Sequence, residues 1–206
     1  TSEEYKKAVT AIIDTAKMMS QIVRKLLTLA RLSSDKVELK IKDINIGKTI
    51  HEAVKLLNPL AEQKGISINI SGNEQPVIRG DRASLLELFT NLIDNAVKYN
   101  LPNGKVNIFI KKEKNFVVAE IKDTGIGIPE KDLEKVFDRF YRAEESRSRK
   151  TGGSGLGLAI SRELSRLLGR NPAYLQQYVA RGSPRHLDEP DVRKIAEFLG
   201  IDARQI

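Results

Sequence analysis

The sequence predicts an α/β fold of the α+β kind, with helices packed on one face of a mixed β-sheet. Three observations predict it. Apolar residues recur at helical spacing from residue 3 to about 31. From about 37 to 122, stretches of alternating apolar and polar residues are interleaved with stretches of helical spacing. After about 168 the pattern changes to two short helical segments with no convincing strand.

Composition sets the bounds. The chain has 206 residues, 40% of them hydrophobic, enough for one moderate core with a small appendage. Aromatics make up only 5% and Trp is absent, so the core must be built from Ile, Leu and Val. Cysteine is absent, which rules out disulfides and thiolate metal sites and fits a reducing compartment. No apolar stretch approaches a membrane span and no signal peptide opens the chain, so it reads as soluble. The net charge is +8 and the pI about 9.6. A basic balance suits a polyanionic partner, and equally a surface rich in mixed Lys and Glu.

The elements follow in order. Residues 3 to about 31 form an amphipathic helix, with Ser2 as its cap and a near-heptad stripe through Val9, Ile12, Met19, Val23 and Leu27. A lone helix cannot hide that stripe, so it calls for a partner helix. Ser33-Ser34-Asp35 ends it, and Val37–Ile46 alternates as a half-buried strand does. Helical spacing resumes from Ile50 to Leu60 and stops at Gly65. Strands follow at Ile66–Ile70 and Val77–Ile78. Asp81 caps a helix running to about Tyr99. Lys105–Lys111 and Phe116–Lys122 pair around a Lys-Asn turn. Asp123–Ser154 is rich in Gly and charge, with a short helix near Lys131–Phe137, and Leu156–Leu168 is helical. The tail segments are Ala173–Arg181 and Glu189–Leu199.

Three motifs carry chemistry. On the helix after Asp81, Glu87, Asn91, Asn95 and Lys98 are spaced 4, 4 and 3 and share a face. Asn is a poor helix former, so two of them one turn apart suggest that their carboxamides are needed. An Asn carbonyl is a hard oxygen suited to Mg²⁺, and Lys98 offers charge to phosphates. The bland alternative is a merely polar face. Asp123-Thr124-Gly125-Ile126-Gly127-Ile128-Pro129 ends a strand, where a carboxylate can accept from an adenine amino group, or simply make a turn. Gly152-Gly153-Ser154-Gly155-Leu156-Gly157-Leu158 opens a helix whose free N–H groups can cradle phosphate. It is neither a Walker A loop nor a dinucleotide loop directly after a strand.

In this order the motifs resemble the ATP-binding catalytic domain of bacterial sensor histidine kinases. That superfamily includes DNA gyrase B, the heat-shock chaperone ATPases and MutL. Asn91–Tyr99 resembles the N box and Asp123–Pro129 the first glycine box. Phe137–Arg142 resembles the F box and Gly153–Leu158 the second glycine box. The resemblance runs from about residue 3 to 165. It implies ATP or ADP with Mg²⁺ as ligands and a sandwich of helices on a mixed sheet. Asn95 is implied as the Mg²⁺ ligand, with Asn91 and Lys98 by the phosphates. Tyr99 is implied beside the adenine and Asp123 on its amino group. Gly125 and Gly127 would shape the base pocket, and Gly153, Gly155, Leu156 and Gly157 the phosphate cradle. Arg142 would reach the γ-phosphate, and residues 130–154 would be a mobile lid. Residues 1–34 would be the second helix of the dimerisation and phosphotransfer hairpin. Residues 35–163 would be the catalytic domain. A dimer partner, a response regulator and a cytoplasmic position in a membrane-anchored parent kinase are implied as well. The γ-phosphoryl would pass to a histidine, chemistry that depends mostly on positioning and charge neutralisation.

Two departures qualify the resemblance. The hairpin's first helix, with its acceptor histidine, has no counterpart here. His51-Glu52 lacks the Leu-Arg-x-Pro that should follow, and His186 lies in a Pro/Arg loop. After the second glycine box the family continues with a turn and two strands, which this sequence does not show. Instead Leu164–Gly182 resembles a helix-turn-helix, and Val192–Asp202 a later helix of phage-repressor-like domains. Residues 164–206 are therefore read as a helix-turn-helix-like segment, and the chain as a chimera whose seam lies near Ser161–Leu164. If that segment read DNA, Tyr174, Gln176, Gln177 and Arg181 would face bases, with Arg170 and Arg185 near phosphates. From residue 161 onward, eight basic residues stand against six acidic ones, a weak nucleic-acid footprint. Patching the sheet edge is the favoured role for the tail.

Overall fold

A computed structural model describes residues 1–33, 38–72, 75–113, 116–133, 135–143, 153–167 and 178–179. Helix α1 (Ser2–Leu32) begins one residue earlier than expected, because Thr1 and Glu4 form its capping box and Ser2 is already inside the helix. Only its last turns are covered. Leu29 and Leu32 are 2% and 1% exposed, while Tyr5, Val9, Ile12, Met19 and Leu27 stay exposed.

Strand β1 (Ile41–Asn45) is shorter than the alternation suggested. Helix α2 (Ile46–Gln63) starts four residues before Ile50, because the Asn45 side chain accepts from Lys48 N–H at 2.9 Å and caps it. Its end is set by Gly65 at φ +66°: Gly65 N–H bonds Glu62 O and Ile66 N–H bonds Ala61 O, the paired bonds of a Schellman motif. Strands β2 (Ser67–Gly72) and β3 (Val77–Asp81) follow, then α3 (Arg82–Lys98). Asp81 caps α3 as expected, accepting from Ser84 N–H at 2.8 Å. Strands β4 (Lys105–Glu113) and β5 (Phe116–Asp123) form an antiparallel pair in which Val106 faces Asp123 and Ile108 faces Ile121.

β1 and β3 make a two-stranded antiparallel sheet, and β2, β4 and β5 lie side by side in a mixed one. β2 and β4 run parallel, so the chain must cross over between them, and α3 lies in that crossover. On β4 the residues alternate strictly: Val106, Ile108 and Ile110 are fully buried, while Asn107 and Phe109 are exposed. That buried face meets Ile50 and Ala53 of α2 and Phe89, Ile93 and Val97 of α3. These are the helices on one sheet face that the sequence predicted.

The helix expected near Lys131–Phe137 is a 3₁₀ turn at Glu130–Asp132, followed by further hydrogen-bonded turns through Asp138. Helix α4 (Gly157–Leu167) closes a second apolar cluster in which Leu156, Ile160 and Leu164 meet Leu88 of α3 and Leu29 and Leu32 of α1. In the tail, Tyr178–Val179 form a two-residue strand, β6, parallel to Lys122–Asp123 of β5. This corrects the reading of Ala173–Arg181 as helical at those two positions. The free edge of β5 offers hydrogen bonds to an extended neighbour, and Tyr and Val suit a strand. The rest of the helix-turn-helix reading, including its candidate base contacts and His186, lies outside the described residues. No helix among the described residues is long and apolar enough to cross a membrane.

Candidate functional site

The site forms where the buried face of α3, the end of β5 and the start of α4 converge. Asn91 is 8% exposed, and its Nδ2 is buried without a hydrogen-bond partner among the described residues. A buried donor without a partner needs an acceptor, which water or a ligand oxygen can supply. Across from it, a Cβ placed on Gly157 would stand 3.7 Å from Asn95 Nδ2 and 3.8 Å from Asn91 Oδ1. The two asparagines therefore face the first turn of α4. Leu156 precedes that turn, fully buried, with its carbonyl accepting from Ile160 N–H at 3.0 Å. Leucine has no side-chain acceptor, so Leu156 cannot itself cap this first turn, which the asparagines face.

Asp123 sits at the end of β5, 6% exposed, its Oδ1 accepting from Gly125 N–H at 2.7 Å. Burial pushes its carboxyl above the ordinary range, and the Gly125 bond opposes this only in part. The Asp123–Pro129 loop is tied to α3 by Ile126 N–H donating to Tyr99 O at 3.1 Å. Gly125 is pressed between the Tyr99 carbonyl and the Asp123 carboxylate, and Gly127 has φ +84°. Thr124 Oγ1 donates to Asn100 Oδ1 and accepts from Lys105 N–H, which fixes the loop's base.

Tyr99 also reaches the glycine-rich segment. A Cβ on Gly153 would lie 2.7 Å from Tyr99 Oη and 3.9 Å from Arg142 Nη2. Gly155, at φ +68°, leaves no room for a side chain beside Phe140 and Tyr141. Asn91, Asn95, Tyr99, Asp123, Gly125, Arg142, Gly153, Gly155 and Gly157 thus come together as one constellation. Lys98 differs: its Nζ bonds Asp94 Oδ2 at 2.7 Å in an i, i+4 pair, so a ligand would have to draw it away. Glu87 turns toward α1. Burial raises its pKa, and the charges of Arg31 and Lys25 oppose that.

Sequence reasoning missed Lys64. Its Nζ donates to Lys98 O at 2.7 Å and Val97 O at 3.2 Å, capping the carbonyl end of α3. A lysine beside the Gly65 stop signalled a helix end, but nothing signalled that it serves a different helix. Asp132 was missed too. It is 4% exposed and accepts from Tyr141 Oη at 2.7 Å. His51 lies exposed on α2 with Nδ1 3.0 Å from Gly47 O of its own helix. Among the described residues no three His, Cys, Asp or Glu side chains gather as a metal cluster.

The family model described as histidine kinase-, DNA gyrase B-, and HSP90-like ATPase matches residues 80–186. The sensor histidine kinase WalK of Bacillus subtilis is 35% identical over 148 residues, covering 71% of this chain and 24% of its own. The signal transduction histidine-protein kinase BarA of Escherichia coli is 32% identical over 170 residues, covering 79% and 18%. Full-length ShkA, solved in complex with AMPPNP, superposes with a TM-score of 0.68 at 28% identity, covering 80% of this chain and 34% of ShkA. The histidine kinase ThkA, solved in complex with the response regulator TrrA, gives a TM-score of 0.57 at 26% identity, covering 70% and 43%. The chain spans about a third or less of the length of the curated relatives it matches first.

Proposed function

Because the chain belongs to the histidine kinase-, DNA gyrase B-, and HSP90-like ATPase family, we propose that it is the ATP-binding catalytic part of a sensor histidine kinase. The observation that carries this is the buried Asn91 carboxamide, its Nδ2 without a hydrogen-bond partner among the described residues, facing the first turn of α4. That arrangement fits a phosphate: Asn91 Nδ2 and the α4 N–H groups are donors waiting for anionic oxygens.

The remaining residues have roles consistent with that fit. Asn95 would hold Mg²⁺ through its carboxamide oxygen, one protein ligand among phosphate and water oxygens. Asp123 has Oδ1 occupied by Gly125, which leaves Oδ2 to accept from the adenine amino group. Tyr99 would pack beside the base, Gly125 and Gly127 would let the base approach, and Gly153 and Gly155 would leave room for phosphate. Arg142 would reach the γ-phosphate, and Lys98 would exchange Asp94 for phosphate. When bound, the magnesium nucleotide supplies the phosphoryl group and neutralises its charge. The chain's own contribution is to orient it and exclude water. A histidine on the dimerisation hairpin would receive the phosphoryl group. The exposed stripe of α1 would pair with a second copy, and a response regulator would take the phosphoryl group onward. The ThkA complex with its response regulator supports that last step by analogy.

A thermal melt with and without Mg-ADP tests this reading. Ligand at about a hundred times Kd stabilises by about 2.7 kcal/mol, or about 5–10 °C for a chain of this size. Asp123→Ala should abolish the shift. A cooperative melt that ignores nucleotide in the wild type would refute the proposal.

For the tail, the helix-turn-helix reading and a recombined origin form a second proposal, resting on the Leu164–Gly182 pattern. A salt-dependent DNA shift assay decides it, and no binding at low salt would sink the DNA-reading role. The β6 pairing and the reach of the family match to residue 186 support the tail as a sheet-edge patch.

A further inference from the structure

Between the Asp123–Pro129 loop and α4, one short stretch holds a costly conformation. Phe140 has φ +64°, left-handed for a bulky aromatic, and the residue is 57% exposed, so burial rewards it little. Such a backbone persists only where its surroundings over-determine it. Three bonds do so. Phe140 N–H donates to Gly155 O at 3.0 Å, Tyr141 N–H donates to Asp138 O at 3.3 Å, and the Tyr141 hydroxyl donates to Asp132 Oδ1 at 2.7 Å. Asp132 is itself held in the 3₁₀ turn, its carbonyl accepting from Val136 N–H at 2.9 Å. Its Oδ2 is buried with no hydrogen-bond partner, so Tyr141 supplies the one side-chain bond to this carboxylate among the described residues. Arg142 comes next, with Nη2 beside Gly153 and near the Tyr99 hydroxyl.

We propose that Asp132 and Tyr141 are a positioning pair: their hydrogen bond fixes the Phe140–Arg142 turn so that Arg142 meets the terminal phosphate of a nucleoside triphosphate. Neither residue touches the ligand. The pair acts by pre-ordering a guanidinium whose charge-assisted bonds to phosphate would otherwise cost ordering at the moment of binding. It therefore sets the preference for triphosphate over diphosphate, since a diphosphate presents no third phosphate to Arg142. The inference rests on the assignment of Arg142 to the γ-phosphate made above. Attachment to Asp132 also holds the Tyr141 hydroxyl above its ordinary pKa, in keeping with its part as the donor.

The test is calorimetric titration of the whole chain with Mg-AMPPNP and with Mg-ADP. Tyr141→Phe removes one oxygen and Asp132→Ala removes its partner. Each should weaken AMPPNP about tenfold while leaving ADP within about twofold, and the double variant should be no worse than either alone. Arg142→Ala should erase the same preference. Equal losses for both nucleotides would reduce the pair to a structural prop and overturn the proposal, as would no loss at all. If Arg142→Ala discriminates but Tyr141→Phe does not, the pair fails and the Arg142 assignment survives. If Arg142→Ala shows no discrimination, both fall. Should Asp132→Ala not fold, Tyr141→Phe decides alone.

Discussion

At the scale of single residues, Asp123 shows how function is set against stability. Its carboxylate is buried with one backbone donor, so the folded protein holds the Asp123 proton more tightly than the unfolded chain does. Below the unfolded value, about 3.9, both states are protonated and burial costs nothing through this group. As pH rises from there through the raised folded value, the unfolded state ionises first and stability falls, then levels off. Asp123→Asn removes that cost while keeping an oxygen for Gly125. The ligand-free variant should therefore exceed the wild type in urea midpoint at pH 7, with the advantage shrinking toward pH 4. Its affinity for Mg-ADP should drop about 10- to 100-fold, because Nδ2 would then point a donor at the base's amino group. A variant that is no more stable at pH 7 would mean that Asp123 is adequately solvated without nucleotide.

At the scale of elements, α1 carries two different surfaces. Ile22, Leu29 and Leu32 pack onto the second apolar cluster, whereas Val9, Ile12, Met19 and Val23 lie in solvent. A stripe of that length on a helix of 31 residues is costly to leave wet. The chain should therefore run in light scattering at twice its 23.1 kDa mass, and Ile12→Asp should return it to the monomer without changing Mg-ADP binding. A wild-type monomer at tens of micromolar would count against self-pairing through α1. α3 shows the opposite economy. Both of its ends are capped from elsewhere in sequence or by its own N-cap: Asp81 at the start, and the Lys64 ammonium on the Val97 and Lys98 carbonyls at the finish. The helix that carries the Asn91–Lys98 face is thereby held at both ends by groups outside that face.

At the scale of the whole molecule, two apolar clusters share α3, and the second joins it to α1 and α4. Leu164, 1% exposed, sits in that second cluster, so Leu164→Ala should cost about 2–5 kcal/mol. Hydrogen exchange should then rise in α4 and the last turns of α1 together, and protection of α1 that is left unchanged would show that its docking does not depend on Leu164. Much of this plan was legible in the sequence. Periodicity gave the helices and strands, because period 2 and period 3.6 reflect which side chains must leave water. Asn91, Asn95, Asp123 and the glycines stood out because their residue types are odd for their positions. What was not legible depends on distant partners. Asn45 extended α2 forward through a cap, Lys64 crossed to another helix, and Asp132 found Tyr141 across a turn. In the tail, Tyr178–Val179 took the β5 edge against a locally helical pattern. The anchoring of α1 has a further, mechanical meaning. Clamped from Ile22 onward, with Arg139 Nη2 bonded to Ser33 Oγ at 3.2 Å where it ends, it leaves a free arm of about 20 residues, about 30 Å long. On such a lever a 5° tilt at the fulcrum sweeps the far tip through about 3 Å. Equally, a push of that size at the tip reaches the fulcrum as a rotation well within the angular scatter that packed helices tolerate.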